Sequence, residues 1–93
     1  MTSRTTKSFR SALEALPPPI RAQARNAFKL FSSSPNHPGL HFKRVYRTQP
    51  VYSVRISAKY RAVGSVAGDE IIWFWIGSHA DYDKLLARMS AGA

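Results

Sequence analysis

The sequence predicts an α+β domain in which a small antiparallel sheet of three to four strands packs against two N-terminal helices and a short C-terminal helix follows. Three observations carry this. Apolar residues recur at helical spacing as far as Phe31, the period changes to alternation after a loop at Ser32 to Gly39, and helical spacing returns beyond Gly77. Ninety-three residues with 44% hydrophobic content are enough for one compact domain, residues 1–93, and too few for two.

Phe9, Ala12, Leu13 and Leu16 follow i, i+3, i+4, i+7 spacing, so a first helix is expected, with Ser8 as its cap and an end before Pro17-Pro18-Pro19. A second helix is expected from Ile20 to Phe31, where Ile20, Ala24, Ala27, Phe28 and Phe31 make one apolar stripe. Arg21, Arg25 and Lys29 form an adjacent i, i+4 stripe of like charge that calls for an acidic partner. "LHFKRVY" is expected as the first strand and "VYSVRIS" as the second, with Tyr52, Val54 and Ile56 on one face. "YRAVGSVA" and "IIWFWIG" flank Gly68-Asp69, a dipeptide suited to a two-residue hairpin. That turn predicts Ala67 opposite Glu70, Val63 opposite Phe74 and Arg61 opposite Ile76, with Trp73 and Trp75 both turned to the helix-packed core. A three-residue loop, Ser57 to Lys59, predicts Arg55 opposite Arg61. In "SHADYDKLL", Ser78 and Asp81 stand in capping spacing, and Tyr82, Leu85, Leu86 and Met89 form the buried stripe of the last helix.

Charge narrows the function classes. Fourteen Lys and Arg face five Asp and Glu, a net charge of +9, and no acid occurs between Glu14 and Asp69. So one-signed a field repels itself and points to a polyanionic partner, nucleic acid first. No cysteine is present, which excludes a thiolate nucleophile, a disulfide framework and Cys-ligated zinc. There is no Walker or dinucleotide glycine loop. His37 and His41 lack the spacing of a metal site, so neither a metal nor a cofactor is expected. No apolar run is long enough for a membrane span or a secretory signal, which predicts a cytoplasmic protein that does not use a membrane.

Arg55, Lys59, Arg61 and His79 converge at one sheet end in this register. Guanidinium forks match phosphate oxygens and remain charged at any relevant pH. Asp83, one helical turn after His79, would favour the imidazolium or fix a tautomer, and the arginines act in the opposite sense. RNA cleavage without a metal needs removal of the 2′-OH proton, charge stabilisation at phosphorus and protonation of the leaving 5′ oxygen. His79, Arg61 and Arg55 are therefore the candidate catalytic residues. Lys43, Arg44, Lys59 and Tyr82 are candidates for RNA contact, Tyr82 by stacking, although its spacing also suits the core.

"LPPPIRAQARNAFKLF", "HPGLHFKRV", "YSVRISAKYRAVG" and "IIWFWIGSHADYDKLL", in that order, resemble the RelE/ParE superfamily of toxins from bacterial type II toxin-antitoxin systems over nearly the whole chain. The resemblance implies a small sheet packed on N-terminal helices and, in the RelE-like branch, a ribosome-dependent endoribonuclease that cuts mRNA in the 30S decoding site. It also implies a cognate antitoxin whose extended acidic or amphipathic segment wraps the toxin. By position, Arg61 falls on the sheet arginine used at the phosphate, Arg55 on the basic position of the preceding strand, and His79 in the region of an Arg or His acid/base. The His-Tyr or Arg-Tyr terminus of several members is absent from "ARMSAGA". The ParE-like branch shares the fold and poisons DNA gyrase without nuclease chemistry.

Overall fold

Helical spacing and proline placement set the first layer. In the computed structural model, which describes residues 1–91, α1 spans Lys7–Glu14 and α2 spans Pro18–Ser33. The α1 cap is Thr6 rather than Ser8: the Thr6 hydroxyl accepts the Phe9 N–H at 3.1 Å. Pro18 opens α2, where a missing N–H leaves no helical bond unmade. Of the basic stripe on α2, Arg21 finds Glu14 at 3.6 Å, and no ion pair among the described residues engages Arg25 or Lys29.

The sheet has five strands in the order β1-β5-β4-β3-β2, one more than the upper expectation. β1 (Thr2–Thr5) runs parallel to β5 (Glu70–Ser78), while β2 (Lys43–Arg44), β3 (Val51–Ser57), β4 (Tyr60–Ala67) and β5 pair antiparallel. The expected strand over Leu40 to Tyr46 shrinks to two residues. A 3-10 turn at Pro38–Leu40 buries Leu40, and His41 takes a left-handed conformation (φ 47°), so pairing begins only at Lys43.

Two cores sandwich the sheet. On one face α1 and α2 cover Val54, Ala62, Ile71, Trp73 and Ile76, and Phe28 and Phe31 meet the Trp73 indole edge-on at 5.1 and 5.3 Å. On the other face α3 (His79–Ala91) lays Tyr82, Leu85, Leu86 and Met89 over Val51 and Val63.

The hairpin turn is as expected, with Gly68 at φ 61° and Ala67 opposite Glu70. Beyond it the register changes. Gly64 pairs with Trp73 but Val63 pairs with Trp75, which leaves Phe74 as an unmatched bulge residue and sets Arg61 opposite Gly77 rather than Ile76. The bulge lies beside a glycine for a steric reason: a Cβ at Gly64 would sit 2.8 Å from Cε3 of Trp73 and 2.9 Å from Cγ1 of Ile71. One inserted residue reverses face parity. Trp73 therefore stays in the α1/α2 core, whereas Trp75 joins the α3 face, contrary to the expectation that both share one core.

Candidate functional site

The two strand ends that carry charge are joined by a short connection. Arg55 pairs with Arg61, and Ser57 with Tyr60, so the turn is Ala58-Lys59 and Ile56 is the unmatched residue. The expected arginine pair is thus present, reached through a bulge rather than a three-residue loop. Paired residues share a face, so both arginines lie on the α3 side with Val63. No hydrogen bond or ion pair among the described residues engages the Arg55 guanidinium.

Arg61 has a second duty. Its Nη1 donates to the carbonyls of Ser57 at 2.6 Å and Tyr60 at 2.9 Å and so staples the turn. Burial pulls its guanidinium below the ordinary arginine value, the neighbouring Arg55 charge adds to that, and Tyr82 and Asp83 oppose it. Arg55, Tyr82 and Asp83 therefore each lie within electrostatic reach of Arg61. With the Asp83 carboxylate set against two guanidinium groups, the pair keeps a net positive charge that attracts an anion.

His79 opens α3, where the Ser78 hydroxyl accepts the Asp81 N–H at 3.1 Å as the helix cap. Its position is tied to the basic turn, because the His79 N–H donates to the Lys59 carbonyl at 2.7 Å. Nδ1 of His79 lies 3.2 Å from Oδ2 of Asp83, one turn along, and the imidazole is 46% exposed. An Nδ1–H given to Asp83 leaves Nε2 free to exchange a proton with a substrate.

The remaining predicted residues divide. Lys59 is exposed in the turn. Lys43 pairs with Ser53 and so shares the face of Arg55 and Arg61. Arg44 does not: it pairs with Tyr52 on the opposite face, and its guanidinium donates to the carbonyls of Tyr46 at 3.0 Å and Arg47 at 3.3 Å. Tyr82 is also withdrawn as a stacking residue. It is only 5% exposed, and its hydroxyl donates to the buried Ser53 at 3.0 Å, which anchors α3 to β3. His37 caps the 3-10 turn by accepting the Gly39 N–H at 3.1 Å. Sequence reasoning missed Ser53 as the buried anchor; a serine flanked by Tyr52 and Val54 on a strand was its only signal.

A family model for the ParE-like toxin domain matches residues 18–84. The chain belongs to this family. No curated protein sequence matches it. Among solved structures, the RelB-RelE antitoxin-toxin complex from Methanococcus jannaschii contains a chain that superposes with a TM-score of 0.71 at 20% identity, covering 88% of this chain and 96% of that one. The toxin-antitoxin complex RelBE2 of Mycobacterium tuberculosis gives 0.67 at 24% identity, covering 84% and 96%. The isolated E. coli RelE toxin gives 0.64 at 15% identity, covering 94% and 96%. The toxin domain thus has the RelE fold, with α3 beginning at the charged end of its sheet.

Proposed function

We propose that this toxin domain is a metal-independent endoribonuclease that cuts mRNA on the ribosome, in the 30S decoding site, and is held in check by a cognate antitoxin. The observation that carries the reading is the cross-strand Arg55–Arg61 pair with His79 fixed beside it through the Lys59 carbonyl and Asp83. Arg55 and the free nitrogens of Arg61 hold the scissile phosphate, and Lys59 and Lys43 add charge along the backbone. The 2′ oxygen forms a bond to phosphorus as the bond to the 5′ oxygen breaks. The proton lost by the 2′-OH and the proton gained by the 5′ oxygen pass through Nε2 of His79 and solvent. The antitoxin follows from the similarity to chains solved as toxin-antitoxin complexes and from the net charge of +9, which an acidic segment would neutralise.

Purified toxin added to programmed ribosomes tests the chemistry through the ends it leaves. Fragments ending in 2′,3′-cyclic phosphate are expected; 3′-hydroxyl ends, or no cleavage, would refute it. The ParE-like description of the family favours a second reading, gyrase inhibition without chemistry, which predicts lost supercoiling activity and intact mRNA.

A further inference from the structure

We propose that Trp75 is a stacking platform for an unpaired nucleobase flanking the phosphate bound at Arg55 and Arg61. This deepens the RNA reading and rests on it.

The bulge at Phe74 moves Trp75 onto the α3 face, two residues along β5 from the Gly77 that pairs with Arg61. Its indole then leans towards that pair: a Cβ at Gly77 would fall 2.8 Å from Cζ2 and 2.9 Å from Cη2 of Trp75. Gly77 has no positive φ, so the ring, and not the backbone, is what its missing side chain accommodates. The space beside Arg61 that any other residue would fill is thus taken by an aromatic ring.

The fold covers the Trp75 ring in part. Tyr82 lies 6.4 Å away, tilted by 40°, and Tyr82 is itself tied across the sheet to Ser53 on β3. α3 therefore crosses from the end of β5 towards β3 and leaves Ile72, Phe74, Trp75 and Gly77 of β5 partly exposed. Trp73, by contrast, is 1% exposed and sealed by Phe28 and Phe31. A partly exposed indole beside two guanidinium groups is the pairing of base stack and backbone clamp that single-stranded nucleic acid requires. An acidic protein would be served by the cations alone and gives no reason for the glycine that admits the ring.

The test is a fluorescence titration of the whole toxin at low salt with a short 2′-O-methyl RNA, which binds but cannot be cut, and with the same RNA abasic at one position in turn. With Trp73 sealed in the core, a change in emission reports Trp75. Quenching by the intact RNA is expected, with affinity about tenfold lower for one abasic position. Trp75→Leu keeps an apolar side chain in the helix interface and should bind about tenfold more weakly, whereas Trp75→Phe keeps a π-face and should stay within about threefold. Gly77→Ala should reproduce the Trp75→Leu loss with the indole still present, because its Cβ displaces the ring. Wild-type affinity in Trp75→Leu, or indifference to every abasic position, overturns the inference while RNA binding stands. No RNA binding by the wild type also overturns the inference, while the cleavage reading stands or falls on the programmed-ribosome assay.

Discussion

Arg55→Glu should make the fold more stable and the toxin inactive. In the native chain Arg55 and Arg61 stand directly opposite each other, and the Arg55 charge is one cause of the lowered Arg61 value. Opposite charges facing each other on antiparallel strands contribute roughly 0.2–1 kcal/mol, and like charges cost a similar amount. Exchanging one arrangement for the other therefore gains about 0.4–2 kcal/mol. For a domain of this size each kcal/mol moves the thermal midpoint by roughly 4–8 °C, so a rise of about 2–16 °C is expected at low ionic strength. The gain should shrink in molar salt, where the screening length falls to about 3 Å. Arg55→Gln removes the repulsion without adding an attraction and should give about half the rise. Both variants should relieve growth inhibition, because the proposed phosphate clamp loses a fork and Glu adds a carboxylate at that position. The assays are thermal denaturation at two salt concentrations and growth after induction. A lowered midpoint for Arg55→Glu would show that the pair does not repel; undiminished toxicity would show that no phosphate binds there.

Tyr82→Phe should lower stability by about 1–3 kcal/mol in urea unfolding, since it leaves the buried Ser53 hydroxyl without its partner. Adding Ser53→Ala should recover part of that loss. Gly64→Ala should cost about 1–3 kcal/mol in the same measurement, because its Cβ meets Trp73 and Ile71 inside 3 Å. Thr6→Ala should cost about 1 kcal/mol through the lost α1 cap, and Ser8→Ala should cost much less, which distinguishes the observed cap from the expected one.

What was legible in the sequence was whatever periodicity controls. The two leading helices, the Gly68 turn and the α3 stripe of Tyr82, Leu85, Leu86 and Met89 each follow from apolar spacing plus a proline or glycine at the boundary. β1 was not legible. "TSRT" is fully exposed and carries no apolar pattern; it pairs through its backbone, from the Thr2 N–H to the Asp69 carbonyl through the Thr6 N–H to the Trp73 carbonyl, with the Trp73 indole N–H given to the Ser3 hydroxyl and Arg4 beside Glu70. The Phe74 bulge was hidden for a related reason, since "IIWFWI" is apolar at every position and alternation carries no parity. The Arg55–Arg61 pair survived because the Ala58-Lys59 turn and the Ile56 bulge together displace the chain as far as a three-residue loop would. The His79–Asp83 contact is a helical i, i+4 relation and needed no tertiary information. The destination of Arg44 did need it, because only strand pairing separates the two faces of the sheet, and so did the Ser53 partner of the Tyr82 hydroxyl.

The central claim is that RNA is cut at the cluster of Arg55, Arg61 and His79. Mapping mRNA 5′ ends across the transcriptome after brief induction tests it most directly, with wild type and His79→Ala compared at equal protein levels. New ends at a fixed position within codons of translated mRNAs, lost in His79→Ala, are the result this account predicts. Growth arrest without new ends, or an unchanged set of ends in His79→Ala, would contradict it.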